Sequence, residues 1–150
     1  AFSDLFTMTI ANRVSLILIV TFLILAPMTG MSLETFGWHM AAAGLTLAVG
    51  FGCFAAGWIG GGDAKFATAV MMWLGWSLAL EYLLLFSVFG GLLTLLILYF
   101  RGSLLPTALM KLDFVARLHD DRNGVPYGVA LALAAFILYP QSVFMQALAM

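Results

Sequence analysis

Long apolar runs separated by short polar breaks organise this chain, and they predict five helical segments. The first runs from about Val14 to Met28 and stops at the turn signal between Pro27 and Gly30. The second runs from Trp38 to Ile59, the third from Phe66 to about Ala79, the fourth from Tyr82 to Phe100 and the fifth from Val125 to about Met145. A hydrocarbon core about 30 Å thick takes roughly 20 helical residues to cross. The runs therefore read as membrane crossings, the third being short enough to need a level path or a thinned bilayer. No repeat and no independent soluble domain interrupts them, so residues 1–150 read as a single membrane-embedded domain. The expected fold class is all-α, a polytopic transmembrane helical bundle with five visible spans.

Two features refine this layout. Gly44, Ala48, Gly52, Ala56 and Gly60 recur every four residues along the second segment, a spacing that lets helix backbones approach closely in lipid. They predict a packing face. Between Arg101 and Gly124 the chain turns polar, with Asp113, Asp120 and Asp121 among basic residues. LLPTALMKLDFVARLHDD has apolar positions at near-helical spacing, which fits an amphipathic connector lying on the membrane surface.

Composition agrees with the pattern. Hydrophobic residues make up 64% of the chain and charged residues 9%, against about 25% charged in an ordinary soluble domain. The net charge of −1 leaves no basic footprint for nucleic acid. The single cysteine, Cys53, rules out an internal disulfide and a cysteine metal cage, so it reads as a packing residue. His39 and His119 are well separated and read as interfacial polar residues; neither a metal nor a cofactor is expected.

Charge then orients the bundle. If each segment crosses once, Arg13, Lys65, Arg101, Lys111, Arg117 and Arg122 all fall on one side, while the opposite loops carry Glu34, His39 and Glu81. Basic residues collect in cytoplasmic loops. Asp4 and Asp63 are therefore both expected at the cytoplasmic face of the membrane.

Those two acids are the candidate chemistry. Asp63 lies in GGGDAK, where Gly60 and Gly62 permit unusual dihedrals and leave room for an extended peptide. Asp4 opens DLFTMTIANR, which ends in Asn12 and Arg13 just before a span. Here Asn12 reads as a helix cap and Arg13 as a headgroup anchor. Two close carboxylates cannot both ionise easily and share a proton, so one can activate water while the other protonates the carbonyl oxygen or leaving amine. Lys65, two residues past Asp63, reads as an anchor or as a charge acting on that aspartate. Pro126, Tyr127 and Gly128 open the last span, with proline tolerated in the first helical turn and tyrosine suited to the interfacial belt.

DLFTMTIANR, GGGDAK and VPYGVALA, in that order, resemble the motifs of the type IV prepilin peptidases, GxGD aspartyl proteases, and most of all the short form associated with Flp or Tad pili. The resemblance implies catalytic roles for Asp4 and Asp63, motif-supporting roles for Gly60, Gly62, Lys65, Asn12, Pro126, Tyr127 and Gly128, and no cofactor. It implies an aspartic endopeptidase whose substrate is a prepilin-like membrane protein, with a positively charged leader in the cytoplasm and a hydrophobic stem in the bilayer. It also implies a sixth, leading helix ahead of Asp4, missing from this sequence or removed. Ala11 stands where the family usually has proline, and the cysteine-rich insertion linked to N-methylation is absent, so methyl transfer is not implied. The reading from a different class is a noncatalytic membrane subunit of a larger assembly that keeps this fold. A small transporter would need polar groups at mid-membrane depth, which the spans scarcely offer.

Overall fold

The computed structural model describes residues 11–102 and 125–148. Asp4 lies outside the described residues, as do the polar connector with Asp113, Asp120 and Asp121, and His119. All regular structure among the described residues is helical: α1 (Asn12–Met28), α2 (Leu33–Ala55), α3 (Gly61–Leu74), α4 (Ala79–Arg101), α5 (Tyr127–Leu138) and α6 (Val143–Leu148). Short 3-10 turns at Trp76–Leu78 and Tyr139–Gln141 lead into α4 and α6.

Three stretches are long and apolar enough to cross a membrane, Leu33–Ala55, Trp76–Arg101 and Tyr127–Gln146. The apolar α1 has 17 residues, about 26 Å of helix at 1.5 Å per residue. The third expected crossing starts earlier than its apolar run implies, because Gly61, Gly62 and Asp63 form the first turn of α3. It ends at Leu74 because Gly75 takes φ 73° and ψ −175°, a conformation open essentially to glycine alone. With 14 residues, α3 is about 21 Å long.

This short helix is the centre of the molecule. Eight of its 14 residues are buried, as expected of a helix apolar nearly all round, and it packs against α1, α2 and α5 while α4 packs against α5. Its first turn meets the start of α1, where Lys65 Nζ donates to Asn12 Oδ1 at 3.1 Å. Farther along the same seam, Trp73 Nε1 donates to the Leu18 carbonyl at 3.1 Å. The start of α1, the start of α3 and the end of α4 thus share one end of the bundle, and Arg13, Lys65 and Arg101 share it with them.

Helix starts follow local chemistry more closely than the apolar runs do. Ser32 accepts from the Thr35 N–H at 3.1 Å and caps α2, moving its start ahead of Trp38 to Leu33. Gly57, at φ 75°, lies just beyond the other end of α2. The small-residue stripe does not pack among the described residues. Gly44, Ala48, Gly52 and Ala56 are exposed, and a Cβ at Gly44 or Gly52 would meet nothing within 4 Å. The helix turns instead through Ala42, Ala43 and Gly50, and a Cβ on Gly50 would lie 3.1 Å from Ala64 Cβ.

His39 is also corrected. It is 3% exposed rather than interfacial, stacks on Phe22 with ring centroids 5.7 Å apart, and places Nδ1 2.7 Å from the Met72 carbonyl. A carbonyl can only accept, so Nδ1 carries the proton and satisfies one of the orphan acceptors in the last turn of α3.

One buried group lacks such a partner. Ser15 Oγ, on α1 one turn beyond Asn12, is buried without a hydrogen bond among the described residues. Ser15→Ala is therefore expected to stabilise the fold by about 1 kcal/mol, raising the midpoint of thermal unfolding in detergent by about 3 °C. A lowered midpoint would reveal a partner for the hydroxyl.

Candidate functional site

Asp63 is the third residue of α3, with Gly60 at the N-cap, and its position explains the first glycine of the motif. A Cβ built on Gly60 would lie 3.1 Å from Asp63 Oδ2, so the carboxylate folds back over the space that a side chain would fill. The backbone there is ordinary, at φ −72° and ψ 144°, and none of Gly60, Gly61 and Gly62 has a positive φ. The expectation of unusual dihedrals is therefore replaced by one of space. Gly61 makes room in the same way for Phe54, whose Cε2 would lie 3.3 Å from an added Cβ. Gly62 is half-buried in the first turn. The helix N-terminus presents unpaired N–H groups and the positive end of the macrodipole, which stabilise a carboxylate held there.

Gly60→Ala should push Oδ2 aside by a few tenths of an ångström while leaving α3 folded. On the expectation that Asp63 acts in peptide cleavage, and where misplacement by 1 Å can cost a hundredfold, the loss should be about tenfold in that activity, with the thermal midpoint nearly unchanged. Kinetics and unfolding of the purified variant check both parts.

Asp63 lines a cavity of about 420 Å³ between α2, α3, α4 and α5. The walls are nearly all apolar, with Gly50, Cys53 and Ala67 on one side and Leu83 and Phe86 on the other. Cys53 is a free, half-buried thiol there. Tyr127 lines the same cavity. Sixty-four positions separate it from Asp63 in the chain, and the fold brings both to one hollow.

The last motif is placed by α4. Pro126 is buried at the N-cap of α5, just before the first helical turn rather than within it, and Gly128 is buried one residue inside the helix. The Tyr127 ring lies over Gly90, where an added Cβ would sit 3.5 Å from Cδ1; Thr94 Oγ1 donates to the Gly90 carbonyl at 2.8 Å and so accepts from the Tyr127 hydroxyl, 3.4 Å away. Gly90, Thr94 and Phe54 are site-shaping residues that sequence reasoning missed. The only signal for the first two was a small and a polar residue four apart on one helix face.

The first motif enters through Asn12. It is the first residue of α1 and does not cap it; Ala11 holds the N-cap position with no side-chain bond, and the Asn12 side chain accepts from Lys65 instead. Ala11 itself adopts φ −62° and ψ 128°, a conformation that a proline ring would also enforce. Ala11 thus holds the backbone much as the proline implied by the resemblance would. Lys65 is exposed, with its amine committed to Asn12.

No curated protein and no solved structure matches the chain. The model of one family, described as the type IV leader peptidase family, matches residues 1–95. That span takes in the Asp4 and Asp63 motifs and most of the helices around the cavity, and with well over half of its length so matched, the chain belongs to the type IV leader peptidase family.

Proposed function

We propose that this protein is a membrane-embedded aspartyl endopeptidase that removes the leader from type IV or Flp-type prepilins at the cytoplasmic face of the bacterial inner membrane. Asp4 and Asp63 form its catalytic pair. Family membership supports a leader peptidase type of function. The observation that carries the finer reading is the meeting of the motifs: Asp63 and Tyr127 line one cavity, and Asn12 is tied to Lys65.

In this reading the two carboxylates share one proton. The ionised one takes a proton from water as the water oxygen attacks the scissile carbonyl carbon, and the protonated one supplies a proton to the leaving amine as the C–N bond breaks. The apolar cavity running from Asp63 toward Met71 and Trp76 accommodates part of the substrate's hydrophobic stem, with the cleavage point held beside the carboxylates. Arg13, Lys65 and Arg101 at the same end of the bundle support its assignment to the cytoplasm.

The test is cleavage of a prepilin peptide, leader and stem together, by the purified full-length protein, with the products identified by mass. Cleavage at the junction between leader and stem is expected. A folded protein that cleaves no prepilin and copurifies with a larger membrane assembly would instead be the noncatalytic subunit.

A further inference from the structure

We propose that the cavity beside Asp63 is also a lipid site: one unbranched acyl chain of a membrane lipid enters it sideways, between α2 and α4, and must leave before substrate can occupy it. The displacement rests on the protease reading; the site itself does not. It stands on the size of the cavity and on where the cavity opens.

Size excludes one occupant and admits another. The cavity is lined from Asp63 at one end to Trp76 at the other, so it follows α3 for about 20 Å. A helix 10–12 Å across fills roughly 1,600 Å³ or more over that length. At about 420 Å³ the cavity cannot take in a helical stem whole, and such a stem can only present side chains to it. A single hydrocarbon chain is narrow enough to lie along it.

The opening faces sideways. α2 and α4 line the cavity from two sides yet scarcely touch each other, so a gap runs between them. Its lips are Leu45 and Val49 on α2 and Leu80 and Leu83 on α4, each lining the cavity while at least half exposed. Walls this apolar offer water too few partners to hold it. Lipid tails, as apolar as leucine, make the wall contacts that an empty space would forfeit.

The site can be mapped without turnover. Full-length protein is irradiated in nanodiscs of a phosphatidylcholine carrying a photoactivatable diazirine in one straight acyl chain, and the adducts are located by tandem mass spectrometry. Adducts are expected on Cys53 and Ala67, which are half-buried and line the cavity, and also on Ile17 and Leu95, which are exposed and do not line it. Val49→Trp and Leu83→Trp, bulky changes on the exposed lips, should each lower the cavity adducts about fivefold and leave the outer ones within twofold. Adducts confined to the outer residues, or cavity adducts undiminished in both variants, overturn the proposal.

Kinetics on a prepilin peptide test the displacement. Hexadecanol, a straight-chain alcohol, should raise KM about threefold with kcat unchanged, whereas phytol, whose chain carries methyl branches, should barely move it. Equal effects of the two alcohols would mean a general action on the bilayer and overturn competition in the cavity. A wild type that cleaves nothing yet gives the cavity adducts would sink the protease reading while leaving the lipid site in place.

Discussion

Asp63→Asn is expected to leave a folded protein that cleaves prepilin peptide at least ~10³-fold more slowly than wild type, within the range that a positioned acid or base supplies. Asparagine has nearly the same shape and still fits the space over Gly60 that Asp63 Oδ2 occupies. In the proposed mechanism it cannot carry the shared proton, so the chemistry should be lost and the packing kept. Asp4→Asn should fall by a comparable factor, because in a pair that shares a proton neither member works alone. The combined variant should be little worse than either single one. Product formation by mass spectrometry, beside an unfolding curve for each protein, checks all three. Cleavage within tenfold of wild type by either single variant would remove that residue from the mechanism.

Gly75→Ala should have the largest effect on stability. Gly75 sits in a backbone region that costs another residue about 1–3 kcal/mol, and an added Cβ would lie 2.6 Å from His39 Cε1 and Nε2. His39 has little freedom to retreat. It is buried, stacked on Phe22, and hydrogen-bonded through Nδ1 to Met72. Strain and overpacking together should destabilise the protein by about 3 kcal/mol or more, lowering the unfolding midpoint in detergent by about 10 °C. The contact can be isolated by repeating the substitution in a His39→Ala background. There the clash is gone and only the backbone strain remains, so the same change should cost measurably less. Equal cost in both backgrounds would place the whole effect in the backbone.

The two experiments bear on opposite ends of one helix. Asp63 stands in the first turn of α3, and Gly75 follows its last residue. Because α3 packs against α1, α2 and α5, it is the part of the fold to which the other helices are referenced. A short helix can serve this way because most of its surface meets protein. The three spanning stretches, by contrast, are largely exposed on the outer face of the bundle.

Legibility in the sequence followed the range of the interactions involved. Apolar runs, turn residues and the placement of basic residues were enough for an all-α membrane protein, for approximate helix limits, and for the shared end of Arg13, Lys65 and Arg101. The motifs were legible too, since their residue types and order are local facts. Which face each helix turns inward was not. The expected stripe on α2 is exposed while Ala42, Ala43 and Gly50 pack, and His39 lies in an aromatic cluster rather than at an interface.

The sequence by itself determined that these segments are helices suited to a membrane, because helix formation and hydrophobic burial answer to composition over a window of neighbours. Only the tertiary structure decided that Asn12 meets Lys65, that Tyr127 shares a cavity with Asp63, and that Gly60 leaves space for a carboxylate. In a helix apolar on every side, hydrophobicity does not mark an inner face, since lipid tails and protein core are equally apolar. Facing and register are then set by the shapes of side chains that meet across the fold.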